Sequence, residues 1–105
     1  MRMSKRNTED IGSLIQNLRV KNNLSQKQVA DRLGIDISLL SKIEHGERKV
    51  QSHMLKELSK IFDLDYKSLQ IKYLNRRLKA EFGKEPYLNE ALKQYLSREN
   101  LEYGI

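Results

Sequence analysis

The sequence contains no cysteine, no tryptophan and a single proline among its 105 residues. The lack of cysteine excludes disulfide bonds, thiolate nucleophiles and cysteine-ligated zinc, and it is typical of a cytoplasmic protein. Apolar runs are also short, since none exceeds two residues. A membrane-spanning helix needs roughly 18 consecutive apolar residues, so we expect a soluble protein that is not inserted in a membrane. Thr8, Glu9 and Asp10 stand where a signal peptide would carry its apolar segment, and we therefore expect a cytoplasmic location.

Charged residues are plentiful, and positive ones predominate. Lysine and arginine number 20 against 14 aspartate and glutamate, which gives a net charge of +6. Apolar residues make up 38% and charged residues 32%, which predicts a small core inside a highly charged surface. A chain of this length has room for one compact domain and an extension. The positive charge indicates an anionic partner, most often nucleic acid or a membrane surface.

Four short helices are predicted between Ile11 and Phe62, because apolar residues recur there at steps of three and four. Residues suited to capping stand before each helix. The expected N-caps are Thr8, Ser25, Asp36 and Ser52. Gly34 and Gly46 are expected to end the second and third helices. Since no segment alternates apolar and polar residues as a strand does, the chain is predicted to be all-α.

A fifth, longer helix is predicted from Asp65, and it has two apolar edges instead of one. Its first edge is formed by Tyr66, Leu69 and Tyr73, and its second by Ile71, Leu74, Leu78 and Phe82. Gly83 ends this helix, and Pro86 suits the first turn of a sixth helix. The apolar face of that sixth helix includes Leu88, Leu92 and Tyr95.

The most specific pattern lies between the second and third helices, where a capped helix, a tight glycine turn and a short helix follow one another. Its residues are Gln26, Ala30, Gly34, Leu40, Ser41, Ile43, Glu44 and Gly46. In order and spacing, this pattern resembles the XRE family of helix-turn-helix transcriptional regulators, the lambdoid-repressor and Cro type, from Ile11 to about Leu69. The resemblance implies a compact DNA-binding bundle of four to five helices at residues 9–69. A basic arm at residues 1–8 would precede it, and a helical extension at 70–105, expected to dimerise, would follow.

The resemblance implies that the third helix enters the major groove of double-stranded DNA. The base-contacting positions of the family fall on Ile37, Ser38, Leu39 and Lys42. Lys42 can donate to guanine or to a phosphate, and Ser38 can donate or accept. Ile37 and Leu39 offer only apolar contact, for which thymine methyl groups are the natural targets. For these two residues we keep open the alternative that the side chain packs against the second helix.

Other positions carried over from the family lie around this helix. Gln26 and Ser41 would lie beside the DNA backbone, as would Arg48 and Lys49, whose alternative is a solvated basic loop. The resemblance also implies a structural ion pair between Arg19 and Glu44.

Catalysis has little support in the sequence. His45 and His53 are eight residues apart with no clustered carboxylates beside them, and no glycine-rich phosphate loop is present. We therefore expect no metal, no cofactor and no enzymatic activity.

The function predicted is that of a sequence-specific regulator, either a dimeric repressor or a protein similar to restriction–modification controllers. A dimer would read an inverted-repeat operator. The alternative is an antitoxin that binds a toxin protein and represses its own operon, and RNA polymerase is a further possible partner. These functions differ in what buries the apolar residues in the second half of the chain, which would be exposed on a single subunit. We favour a second copy as that cover, over packing within the chain or a different protein. The residues assigned to dimerisation are Ile71, Leu74, Leu78, Phe82, Leu88, Leu92 and Tyr95.

Overall fold

A computed structural model describes residues 10–97 of the chain. Its helices are α1 (Ile11–Lys21), α2 (Gln26–Leu33), α3 (Ile37–Glu44), α4 (Leu55–Phe62), α5 (Tyr66–Phe82) and α6 (Leu88–Leu96). No strand occurs within residues 10–97, which confirms the all-α prediction. The basic arm predicted at residues 1–8 lies outside the described residues, as does Thr8. Asp10 occupies the N-cap of α1, so the expected cap at Thr8 is wrong.

The chain divides into two compact units within α5, where the first unit ends at Tyr73 and the second begins at Leu74. The first unit has a continuous apolar core, in which α3 packs against α1 and α2, and α2 packs against α4. Val29, Ala30, Leu40 and Leu55 are completely buried there. Leu69 and Tyr73, from the first apolar edge of α5, also belong to this core.

The two ends of α2 are set by local features that the sequence predicted. The Gln28 N–H donates to Ser25 Oγ at 3.0 Å, and the Ser25 N–H donates to Gln28 Oε1 at 2.7 Å. This reciprocal capping box starts α2. Gly34 ends it in the left-handed region at φ 71°, where a side chain would add strain.

Two expected helix starts differ in the structure, and a third, at Asp36, is confirmed in position only. Asp36 occupies the N-cap of α3, but its side chain makes no capping hydrogen bond. Ser52 begins a short 3₁₀ turn, Ser52–Met54, and α4 starts only after it. Pro86 and Tyr87 form a turn, and α6 begins only at Leu88, so Pro86 precedes the helix instead of lying in its first turn.

Gly12 brings α1 and α3 together, a role that the sequence did not reveal. It is buried in α1, and a methyl group added to it would overlap the backbone carbonyl oxygen of Ile43. Only glycine therefore allows the backbone of α1 to approach the end of α3 this closely.

The second unit contains the end of α5 and all of α6. Among its described residues, 74–97, no side chain is buried. Large apolar groups are instead open to solvent, with Leu74 51% exposed, Tyr95 66% and Leu96 78%. This unit thus has no core of its own within the described residues. No helix in residues 10–97 is both long enough and apolar enough to cross a membrane.

Candidate nucleic-acid interface

Helix α3 has one face in the core and another directed away from it. Leu40 and Ile43 are buried and anchor the helix against its neighbours. Ser38 and Lys42, four residues apart, are exposed on the opposite face. The burial of one face therefore leaves two hydrogen-bonding side chains on the surface of a rigid helix.

The structure separates the two apolar residues whose roles the sequence left open. Leu39 is half-buried and packs against the core. Ile37, the first residue of α3, is 45% exposed and is absent from the groups that pack on the core. Of the two, Ile37 is the side chain available for an apolar contact with a ligand.

A buried ion pair joins Glu44, the last residue of α3, to Arg19 of α1. Glu44 has no solvent exposure, and its carboxylate accepts two hydrogen bonds from Arg19. Arg19 Nε donates to Glu44 Oε2 at 2.7 Å, and Arg19 Nη2 donates to Glu44 Oε1 at 3.0 Å. This bidentate contact raises the pKa of Arg19 above its ordinary value, and the hydrogen bond to Glu44 is the largest cause. Because Arg19 Nη1 also donates to the Leu24 carbonyl at 3.1 Å, one guanidinium ties α1, the following turn and α3 together.

Gln26 joins this network, a contact that sequence reasoning missed. Its Nε2 donates to Glu44 Oε1 at 3.1 Å, which fixes the side chain at the start of α2. An amide nitrogen carries two hydrogens, so a second one remains for an acceptor such as a phosphate oxygen. The first residues of a helix also leave backbone N–H groups without partners inside the helix. The start of α2 is therefore suited to an anion, and Glu44 orients its side-chain donor.

The segment after α3 places two further cations on the surface. Gly46 adopts φ 82°, and the Glu47 N–H returns to the Lys42 carbonyl at 2.8 Å. Arg48 and Lys49 follow this turn and are exposed. Val50 is buried directly after them, so the core holds the segment in place.

Ser41 and His45 contact each other along α3. Ser41 is half-buried, and its carbonyl oxygen accepts a hydrogen bond of 2.7 Å from His45 Nδ1. The imidazole thus closes the last turn of α3. Within residues 10–97 no three metal-ligating side chains come together.

The residues assigned to dimerisation lie on α5 and α6. Ile71 is in the first unit, on the side of α5 opposite the buried Leu69 and Tyr73. The other six lie in the second unit, where Leu74, Phe82 and Tyr95 are exposed. The remaining three, which are half-buried, are Leu78, Leu88 and Leu92.

A comparison with protein families matches residues 12–75 to a model described as a helix-turn-helix domain. The chain belongs to this family. The matched residues, more than half of the chain, run from α1 into α5 and include the whole surface formed by α2 and α3. The matched model belongs to the XRE-like group of helix-turn-helix domains, and a domain of this kind is typical of a DNA-binding regulator. No curated protein and no solved structure matches the chain.

Proposed function

We propose that this helix-turn-helix protein is a dimeric, sequence-specific repressor without catalytic activity. Two copies place α3 in successive major grooves of an inverted-repeat operator and occlude a promoter. The outward face of α3 carries the proposal: Ile37, Ser38 and Lys42 are exposed on a helix whose opposite side is locked into the core. An α-helix fits the major groove, and its N-terminal residues reach the base edges.

The charges around α3 support a DNA ligand. Lys42 lies on the helix itself, and Arg48 and Lys49 follow it on a segment anchored by Val50. Gln26 adds a neutral donor at the start of α2. Cations and helix N-termini are the groups that proteins most often place against DNA phosphates, where they fix the register of the reading helix.

The second unit supports the dimer. Five of its large apolar residues are each 47–78% exposed, and the three aromatic ones among them alone offer on the order of 350 Å² at roughly 150–250 Å² for each fully exposed side chain. One partner of a standard protein interface buries roughly 800 Å². A second copy would therefore supply the burial that the unit lacks, and two-fold symmetry would double the DNA contacts.

Light scattering on matched variants of α6 tests the dimer. Tyr95→Glu introduces a charge on the apolar face, and Gln94→Glu introduces the same charge at the adjacent exposed residue. We expect the wild-type and Gln94→Glu proteins to show twice the chain mass of 12.4 kDa, and Tyr95→Glu to approach the monomer mass. Tyr95→Glu should also bind an inverted-repeat duplex more weakly than the control.

A monomeric wild-type protein at micromolar concentration would contradict the dimer. If that monomer also formed a defined complex with the product of a neighbouring gene, the antitoxin function would replace the repressor.

A further inference from the structure

We propose that the N-terminal end of α3 recognises the C5-methyl group of a pyrimidine in the major groove, through the side chain of Ile37. The inference rests on the proposed DNA-reading role of α3. It goes further by naming the chemical group that is read and the residue that reads it.

The position of Ile37 is the first step of the argument. It is the first residue of α3, 45% of its surface is exposed, and the core packs against Leu39 instead. Helix-turn-helix proteins use the N-terminal residues of the reading helix for base contacts. Ile37 thus presents a branched hydrocarbon where a base edge is expected.

The chemistry of the groove gives the second step. Base edges in the major groove carry hydrogen-bond donors and acceptors, and the apolar group among them is the C5-methyl of thymine. Cytosine carries a methyl on the same carbon when it is 5-methylated. The Ile37 side chain has no donor or acceptor, so it distinguishes bases only by whether this methyl is present.

Ser38 gives the third step, because it lies beside Ile37 and is exposed. Its hydroxyl can donate to O4 of thymine or accept from N4 of cytosine. A serine therefore tolerates either pyrimidine, and the preference comes from Ile37. The pair should bind thymine and 5-methylcytosine better than uracil and unmethylated cytosine at one position of each half-site.

Single-base replacement in the tightest-binding duplex recovered by selection tests this inference. Replacing thymine by deoxyuridine removes only the methyl group, and we expect about four-fold weaker binding at one position per half-site, the effect of losing one buried methyl. Cytosine at that position should bind more weakly than thymine, and 5-methylcytosine should recover affinity to within about two-fold of thymine. The deoxyuridine arm tests the methyl group on thymine, and the 5-methylcytosine arm tests the same group on cytosine.

Ile37→Ala is the decisive variant, and Val20→Ala is its matched control because Val20 is an apolar residue of α1 with 60% exposure. We expect Ile37→Ala to bind the thymine and deoxyuridine duplexes equally, and Val20→Ala to keep the wild-type difference. Unchanged methyl discrimination in Ile37→Ala would overturn the inference, as would a wild-type protein insensitive to deoxyuridine at every position. Specific binding without methyl sensitivity would leave the proposed function standing, whereas no preference for any duplex would contradict both.

Discussion

Replacing Arg19 by methionine should destabilise the first unit severely, because it leaves the Glu44 carboxylate buried without its cation. Glu44 is fully buried, and both of its oxygens accept from Arg19, at 2.7 and 3.0 Å. After the substitution only the neutral amide of Gln26 remains as a donor in this network. Removing one member of a buried ion pair costs about 3–5 kcal/mol, a large share of the roughly 5–15 kcal/mol that holds a domain folded.

The matched control is Arg32→Met. Arg32 and Glu57 also form an ion pair, but their contact is 3.3 Å and their side chains are 54% and 35% exposed. Exposed pairs contribute about 0.2–1 kcal/mol, so this variant should unfold close to the wild type. The double variant Arg19→Met with Glu44→Met should recover most of the lost stability, because an apolar pair needs no desolvated charge.

Urea unfolding followed by circular dichroism measures these differences. With a slope of about 1–1.5 kcal/mol per molar urea for a domain this small, a cost of about 3–5 kcal/mol should shift the midpoint of Arg19→Met down by about 2–5 M. Where it remains folded, it should bind DNA within about two-fold of the wild type, since Arg19 acts through folding. A cost no larger than that of Arg32→Met would refute the reasoning.

Four further variants test other parts of the structure. Gly12→Ala should lower the free energy of unfolding by about 1–3 kcal/mol in urea titrations, because the added methyl overlaps the backbone of α3. Lys42→Ala should weaken specific DNA binding by about 1–3 kcal/mol in anisotropy titrations. Arg48→Ala should instead weaken binding to all DNA sequences alike, and it should reduce the slope of log affinity against log salt concentration by about one. If Lys42→Ala lost the same affinity for specific and for random DNA, Lys42 would contact a phosphate and not a base. Asp65→Ala should lower the melting temperature at pH 7, and the gap should close as the pH falls below about 4.

The sign of that pH dependence follows from the start of α5. The Ser68 hydroxyl and N–H donate to Asp65 Oδ2 at 2.7 and 3.0 Å, and they lower the pKa of this carboxyl. Because the pKa of this carboxyl is lower in the folded protein than in the unfolded chain, its charge stabilises the fold at pH values above its ordinary pKa. The protein loses that stabilisation as the pH falls and the carboxyl becomes protonated. A gap that persisted undiminished into acid would mean that Asp65 acts through something other than its charge.

Features set by neighbours in the sequence were predictable. The Ser25–Gln28 capping box and the positive φ of Gly34 follow from residue types at fixed offsets, and both occur in the structure. The Arg19–Glu44 contact was predictable only through resemblance to a family. Its residues are 25 apart, a separation that no local rule connects.

Features set by the approach of distant segments were not predictable from one sequence. The closeness of Gly12 to Ile43 depends on how α1 crosses α3, and glycine near a helix start has no local signature for it. The difference in burial between Ile37 and Leu39 likewise depends on how α3 is rotated about its own axis against the core. Both residues are apolar, so composition and spacing alone left them equivalent.

Selection of the purified protein on a random duplex DNA library at about 150 mM salt, followed by sequencing of the bound fraction, tests the central claim most directly. A dimeric reader predicts enrichment of an inverted repeat whose half-site centres lie one helical turn, about 34–36 Å, or a multiple of it apart. Enrichment of a single unrepeated site would contradict the dimer, and no enrichment at all would contradict sequence-specific reading by α3.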